Sequence, residues 1–239
     1  MIVNENIVAY INSLEGDLPE HIVSIMKEAL ADEVPIIRRE TMTLIKYLLK
    51  SHQPMHVLEV GAAVGFSSIL MSEYLPEGAS IITIERMEER IQKAKENIDK
   101  CKKQEVITLL EGDATEILED LVNGNTSHLD ISLLSRDNKQ SEASYSEKFD
   151  FIFMDAAKGQ YMNFFPNIMK LLKPGGILLT DNVLFDGAVA KSRYGVIRRD
   201  RTIHTRMREY LHTLTHMDEL NTVVLPVGDG VTISTKSSK

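Results

Sequence analysis

Three oxygen-bearing side chains follow two hydrophobic runs of the chain. Asp155 ends the run FDFIFMD, and Asp181 and Asn182 end the run GILLTDN. Both runs are typical of buried parallel strands, and ligands of a parallel sheet bind where the carboxyl ends of its strands emerge. Carboxylate and amide oxygens that converge there supply half the shell of an octahedral ion such as Mg²⁺. The alternative is that each aspartate only caps the turn that follows it.

Lys158 lies one turn beyond Asp155. A divalent cation lowers the pKa of a hydroxyl bound to it, and a neighbouring basic side chain can then take the proton. The pattern therefore predicts a metal-assisted oxygen nucleophile, with Lys158 as proton acceptor. The competing interpretation is an ion pair between Lys158 and Asp155, or a solvated lysine at a helix start.

A glycine-containing loop, EVGAAVGFSS at 59–68, follows an earlier strand. Its glycines are four residues apart and Phe66 stands where a dinucleotide fingerprint needs a small residue, which disfavours a dinucleotide. The spacing instead lets the backbone approach a methionine-like tail, with Ser67 available to its carboxylate. Glu85, ending the second strand, is placed for two ribose hydroxyls, and Asp113, ending the third, lies where adenine would sit. Each feature alone is commonly a turn or cap, but together they predict S-adenosylmethionine.

These residues are carried by strands and helices that alternate from residue 50 onward, which predicts a parallel sheet with right-handed crossovers. Strands are predicted near 56–60, 80–85, 106–111, 149–154, 176–180, 222–227 and 230–235. Helices are predicted near 66–75, 87–101, 115–122, 160–172 and 199–215. The expected fold is α/β, a three-layer, doubly wound, seven-stranded and mostly parallel sheet. Only Gly228-Asp229-Gly230 separates the last two strands, so a hairpin should add one antiparallel strand.

Residues 1–239 are expected to form a single domain. Apolar positions at helical spacing predict extra N-terminal helices over residues 1–50. Residues 123–148 are rich in Ser, Asn and charge, which predicts a surface loop insertion to which no function is assigned.

The composition disfavours several classes of protein. A formal net charge of −8 argues against a generic polyanion binder, although it leaves room for a local basic face. The single Cys101 excludes internal disulfides and thiolate zinc clusters, and fits a reducing compartment. No apolar run reaches membrane-spanning length and the N-terminus lacks a signal pattern, so a soluble, cytoplasmic protein without a membrane partner is expected.

The motifs resemble those of the class I S-adenosylmethionine-dependent methyltransferases, in particular the metal-dependent, catechol-type O-methyltransferases. The resemblance spans about residues 34–235 and rests on V-P-I, E-V-G-A-A-V-G-F-S-S, T-I-E-R, E-G-D-A, D-A-A-K and T-D-N. It is closest to the bacterial tRNA 5-hydroxyuridine methyltransferases, through D-A-A-K-G-Q-Y-x-N-F-F at 155–165, T-D-N-V-L-F-x-G at 180–187 and P-V-G-D-G at 226–230.

The resemblance implies a set of ligands and partners. It implies Mg²⁺ bound by Asp155, Asp181 and Asn182, with Lys158 as the catalytic residue near the acceptor oxygen. Contacts to S-adenosylmethionine are implied for Met42, Ser67, Glu85, Gly112, Asp113 and Asp155. A homodimer is implied as well.

The acceptor needs two adjacent oxygens that can chelate one cation, a property shared by catechols and 5-hydroxyuridine. The resemblance favours conversion of 5-hydroxyuridine to 5-methoxyuridine at the wobble position, with the tRNA anticodon loop as partner. The rival interpretation is a small-molecule O-methyltransferase acting on catechol or caffeoyl-type substrates. A third possibility is a non-catalytic RNA-binding module on a methyltransferase scaffold.

A basic stretch supports an RNA partner. Candidate phosphate contacts are Arg193, Arg198, Arg199 and Arg201, and Arg206 and Arg208 extend the same cluster. The alternative is a solvated amphipathic helix with Asp200 and Glu209 as ion-pair partners. Tyr161, Phe164 and Phe165 can likewise be either stacking residues for a loop base or core residues.

Overall fold

The computed structural model describes residues 2–125, 145 and 148–238. Most of the insertion predicted at 123–148 therefore lies outside the described residues. Helices in the described part are α1 (Glu5–Ser13), α2 (Glu20–Ala31), α3 (Arg39–His52), α4 (Phe66–Ser72), α5 (Glu88–Lys100), α6 (Ala114–Asn123), α7 (Tyr161–Leu171) and α8 (Arg201–His216).

A seven-stranded sheet forms the centre of the described chain. Its strands are β1 (His56–Val60), β2 (Ser80–Glu85), β3 (Ile107–Glu111), β4 (Phe149–Met154), β5 (Leu172–Thr180), β6 (Leu220–Leu225) and β7 (Val231–Lys236). Their order across the sheet is β3-β2-β1-β4-β5-β7-β6. β7 runs antiparallel to both β5 and β6, and the remaining pairs are parallel. The predicted fold class and the predicted hairpin are both confirmed.

Alternate strand residues feed two hydrophobic cores on opposite faces of the sheet. Leu58 and Ile152 belong to the core that α6, α7 and α8 cover, whereas Val57 and Phe151 belong to the core that α2, α3, α4 and α5 cover. Because successive strand side chains point to opposite faces, strands that are buried on both sides read as continuous apolar runs. Among the described residues, no helix combines the length and apolar character that crossing a bilayer requires.

The direction of strand addition reverses between β1 and β4. The chain passes outward from β1 to β2 and β3, and then returns to pair β4 with the other side of β1. In doubly wound sheets, ligands bind outside the carboxyl ends of the strands at such a reversal. The register keeps these ends level, because Val60 pairs with both Ile84 and Met154, and Met154 pairs with Thr180.

Candidate active site

A cleft of about 780 Å³ opens at the carboxyl ends of the parallel strands. It is lined by the loops that follow β1, β2, β3, β4 and β5, together with residues 35–38 before α3. This volume suits a small organic ligand. The cleft therefore lies where the strand order predicts a binding site.

Gly61 lets the tips of β1 and β4 lie against each other. Its φ is +106°, a conformation that side-chain-bearing residues rarely adopt. A Cβ at this position would overlap the carbonyl oxygen of Asp155. The glycine that the sequence motif singles out is thus required for the close approach that forms the floor of the cleft.

Glu59 lies in β1, just before this loop. Its carboxyl is buried, and Oε2 accepts a hydrogen bond from Thr83 Oγ1 at 2.5 Å. Burial raises the pKa of Glu59 to about 7, even though hydrogen bonds from Ser67, Thr83 and Ser68 oppose the shift. In the sequence, Glu59 stands out only by its place in the loop motif.

Glu85 lies at the end of β2 and lines the cleft, as predicted. One carboxylate oxygen accepts the backbone N–H of Ala63 at 2.9 Å, and the other accepts those of Arg86 at 2.9 Å and Met87 at 3.0 Å. These bonds fix the carboxylate at the cleft wall, and a carboxylate retains lone pairs for further donors.

Asp113 combines the cap and cleft positions that the sequence left as alternatives. It is the N-cap of α6, where Oδ1 accepts the N–H of Thr115 at 2.9 Å, and it also lines the cleft. The hydrogen bonds from Thr115, with a smaller effect of Arg86, lower the pKa of Asp113.

Ser67 and Gly112 also line the cleft, but Met42 does not. Met42 is buried in the core. It lines a separate small cavity together with Leu70 and Tyr74. The implied cofactor contact of Met42 therefore stays a prediction, and its side chain is not among those that line the cleft.

Asp155 and Asp181 emerge from adjacent strands into the cleft. The N–H of Asp155 donates to Val60 O and that of Asp181 donates to Met154 O, both at 3.1 Å. Asp181 is 2% exposed. Burial raises the pKa of both carboxyls well above its ordinary value, and the charge of Asp155 adds to the shift of Asp181. Because Met154 pairs with Thr180, the two aspartates follow neighbouring strands at the same level of the sheet.

Asn182 completes the predicted metal set. Asn182 lines the cleft, and its backbone has a positive φ of +60°. Its N–H donates to Asp181 Oδ1 at 2.7 Å. No group of three or more His, Cys, Asp or Glu side chains that could hold a metal occurs within residues 2–125, 145 and 148–238. The candidate set is thus the buried carboxyl of Asp181, the half-buried carboxyl of Asp155 and one amide, and a divalent cation would neutralise the repulsion between the carboxyls.

Lys158 lines the same end of the cleft, but its ion-pair partner differs from the one weighed in the sequence. Its Nζ lies 3.1 Å from Asp229 Oδ2 and 4.9 Å from the centre of the Phe185 ring. Asp229, from the turn between β6 and β7, is buried and also lines the cleft. In the sequence, Asp229 stands out only as part of the P-V-G-D-G motif, which predicted no role for its side chain.

The predicted phosphate contacts lie outside the cleft lining. Arg193, Arg198 and Arg199 are exposed on short turns, and Arg201 Nε donates to Val196 O at 3.2 Å. The arginines that line the cleft are instead Arg38, Arg86 and Arg90, for which the sequence predicted no role.

The aromatic candidates are core residues. Tyr161 and Phe165 are buried and pack edge-on against Tyr210, and Phe164 is buried but reaches the cleft wall. Base stacking by Tyr161 and Phe165 is therefore excluded by their packing.

Comparisons with known proteins agree with this geometry. A family model described as O-methyltransferase matches residues 16–148 and 134–237. Caffeoyl-CoA O-methyltransferase from Stellaria longipes is 27% identical over 192 residues, which cover 79% of this chain and 71% of that protein.

Solved structures agree as well. A structure from Staphylococcus aureus with the provisional name caffeoyl-CoA O-methyltransferase superposes with a TM-score of 0.78 at 28% identity, covering 98% of each chain. The O-methyltransferase TomG from Streptomyces achromogenes, in complex with S-adenosylmethionine, has the same fold, with a TM-score of 0.76 at 21% identity over 98% of this chain and 96% of its own. The chain therefore belongs to the O-methyltransferase family, the S-adenosylmethionine-dependent class that its glycine loop and strand-end acids predict.

Proposed function

We propose that the protein transfers the methyl group of S-adenosylmethionine to one of two neighbouring oxygens of an acceptor, with a divalent cation such as Mg²⁺ held by Asp155, Asp181 and Asn182. One observation carries this proposal: Asp155 and Asp181 follow adjacent strands into the same cleft, and the charge of Asp155 helps to raise the pKa of the buried Asp181. Buried like charges are costly unless they are protonated or bound to a cation.

The two halves of the cleft support different tasks. Ser67, Glu85, Gly112 and Asp113 line the side formed by β1, β2 and β3, which suits the amino acid, ribose and adenine parts of the methyl donor. Asp155, Asp181 and Asn182 line the side formed by β4 and β5, where the acceptor would lie. Asp155 lies between the two halves, because it follows β4 and its carbonyl oxygen packs against Gly61 in the loop after β1.

Each residue of the acceptor side has a defined part in the chemistry. When bound, the cation supplies Lewis acidity that favours ionisation of an acceptor hydroxyl. Asp155, Asp181 and Asn182 offer the oxygen ligands, and their fixed strand-end positions set the place of the acceptor relative to the methyl donor. We assign Lys158 the contact with the acceptor oxygen. As the ammonium partner of Asp229, it would stabilise the ionised oxygen, whose proton passes to solvent.

The known relatives favour a small acceptor. The Stellaria and Staphylococcus proteins are both named for caffeoyl-CoA, which points to a catechol-type substrate for this chain. This small-molecule activity agrees with the comparisons better than tRNA modification does, and we propose it as the first candidate.

A second candidate, 5-hydroxyuridine at the wobble position of tRNA, is favoured by the surface beyond Asn182. Arg193, Arg198 and Arg199 are exposed there, and Tyr194 between them is 88% exposed. Guanidinium groups suit phosphates and an exposed aromatic ring can stack on an unpaired base. The buried aromatic residues of α7 add nothing to this candidate.

One experiment separates these acceptors. The protein is incubated with methyl-labelled S-adenosylmethionine and Mg²⁺, together with free catechol, caffeoyl-CoA or hydroxyuridine-bearing tRNA, and each reaction is repeated with a chelator. Label in the small molecules alone supports the first candidate. Label in tRNA alone, reduced when Arg198 and Arg199 are changed to Ala, supports the second. Label that persists unchanged with the chelator removes the metal from the mechanism.

A further inference from the structure

Lys158 lies on a turn that needs support from outside. The turn Lys158–Gln160 is a single 3-10 turn between the end of β4 and the start of α7. Gly159 at its centre has no side chain to anchor it. Because methyl transfer requires the reacting groups to be held within a fraction of an ångström, other residues must hold this turn.

Asp229 holds the side chain of Lys158. Its Oδ2 lies 3.1 Å from Lys158 Nζ, and its Oδ1 accepts the N–H of Asp186 at 2.5 Å. Asp229 is 5% exposed, so the ion pair is shielded from the solvent that weakens surface pairs. One carboxylate thus joins the loops that follow β4 and β5.

Two glycines let Asp229 reach this position. Gly228 and Gly230 flank it with φ values of +58° and +87°. A Cβ on Gly228 would lie 2.6 Å from Thr41 Oγ1, and a Cβ on Gly230 would overlap the Leu184 side chain. The turn between β6 and β7 can therefore pack closely between α3 and the loop after β5. This packing places Asp229 next to Lys158.

Arg206 holds the backbone of the same turn from α8. Its Nη1 donates to Gly159 O at 2.7 Å, a short hydrogen bond from a charged donor. On the same helix, Arg208 Nη1 donates to Val189 O at 3.2 Å. These side chains, which read in the sequence as part of a basic cluster, fix active-site loops.

We propose that Asp229 and Arg206 are positioning residues for methyl transfer, Asp229 by fixing the amino group of Lys158 and Arg206 by fixing the turn that carries it. This inference rests on the proposed function, in which Lys158 contacts the acceptor oxygen. Both residues act through Lys158. Their effect on turnover therefore depends on the presence of that lysine.

A double-mutant cycle tests this dependence. Turnover is measured with labelled S-adenosylmethionine and with whichever of free catechol, caffeoyl-CoA or hydroxyuridine-bearing tRNA the wild type methylates. Asp229→Asn should lower kcat by about 10- to 100-fold and Arg206→Gln by about 5-fold, with KM for the methyl donor unchanged. In a Lys158→Ala background, neither change should lower kcat further.

Hydrogen exchange gives a readout that is independent of turnover. Arg206→Gln should speed amide exchange at residues 158–161, because the turn loses its bond from α8. Arg39→Gln is the matched control, since Arg39 Nη2 donates to Gly16 O at 3.1 Å outside the cleft. It should leave both kcat and exchange at 158–161 at wild-type values.

Other outcomes overturn the inference in distinguishable ways. If Asp229→Asn and Arg206→Gln lower kcat equally with and without Lys158, they do not act through it, and the proposed function stands. If Lys158→Ala keeps full kcat while methylation still requires Mg²⁺, the role of Lys158 and the inference fall together. If the wild type methylates none of the three acceptors, the proposed function fails. Unchanged exchange at 158–161 in Arg206→Gln overturns the positioning role of Arg206 whether or not methylation is seen.

Discussion

Removal of the Asp181 side chain should weaken metal binding and leave cofactor binding nearly unchanged. Asp181 lies at the tip of β5, whereas the residues proposed to hold the methyl donor lie mainly after β1, β2 and β3. We expect Asp181→Ala to reduce kcat by at least about 100-fold, because a cation ligand is lost. Calorimetric affinity for S-adenosylmethionine should stay within about 3-fold, a change of only about 0.6 kcal/mol.

Asp218→Ala is the control for this change, since Asp218 is exposed beyond α8. It should leave turnover intact. Wild-type turnover in Asp181→Ala would contradict the metal role, and loss of cofactor affinity equal to the loss of turnover would show that Asp181 serves the methyl donor instead.

Single residues differ in how far the sequence reveals their place. Asp155 and Asp181 each end an apolar run, so their strand-end position follows from the pattern alone. The contact between Lys158 and Asp229 joins residues 71 positions apart and depends on the turn made by two glycines, which no local pattern specifies. The cofactor contact of Met42 was implied by the family resemblance alone, and its apolar helical spacing is typical of the core position that it occupies.

The tips of β1 and β4 depend on Gly61. We expect Gly61→Ala to lower the free energy of unfolding by about 1–3 kcal/mol, because the residue has positive φ and its new Cβ would overlap Asp155 O. The displaced Asp155 should also reduce turnover. Thermal unfolding and a methylation assay on the same preparation measure both effects.

Gly16→Ala provides the comparison. A Cβ there would meet no atom within 4 Å, so unfolding temperature and turnover should both stay near the wild-type values. If Gly61→Ala were as stable and active as Gly16→Ala, the close approach of the two strands would not be needed for the site.

Helices and strands were predictable because their signals are local. Apolar runs predicted the strands near 56–60, 80–85 and 149–154. The short glycine-containing separation predicted the hairpin, whose connection spans residues 226–230 in the structure rather than the three residues expected. The arginines around α8 were harder, because composition does not show whether a guanidinium faces solvent or a backbone carbonyl. Arg201, Arg206 and Arg208 each donate to a carbonyl of a neighbouring loop or turn.

The N-terminal helix bears on the assembly of the protein. α1 buries none of its residues, and Ile7, Tyr10, Ile11 and Leu14 are between 47% and 67% exposed. Contiguous exposed apolar side chains favour association. We expect a homodimer by light scattering, which becomes monomeric when Tyr10 and Leu14 are both changed to Glu. Lys27→Glu, at an exposed position of α2, should remain dimeric, and a monomeric wild type would refute the expectation.

The carboxyls in and beneath the cleft should make the free energy of unfolding of the whole protein depend on pH. Burial raises the pKa of Glu59, Asp155 and Asp181, whereas these groups titrate near pH 4 in an unfolded chain. Between about pH 4 and pH 7 the folded protein therefore binds more protons than the unfolded chain, and the free energy of unfolding falls as pH rises. Without divalent ions, we expect Tm to be lower at about pH 8 than at about pH 5.5 for this reason.

Magnesium should reverse part of that loss. It binds the ionised carboxyls, so the gain in Tm on adding Mg²⁺ should be larger at about pH 8 than at about pH 5.5, where protons compete. A hundredfold excess over Kd corresponds to about 2.7 kcal/mol. Asp181→Ala should lose most of this gain, whereas Asp218→Ala should keep it. An equal gain in Tm at both pH values, or an undiminished gain in Asp181→Ala, would show that the cation binds elsewhere on the protein. The repulsion between Asp155 and Asp181 would then not be relieved by Mg²⁺.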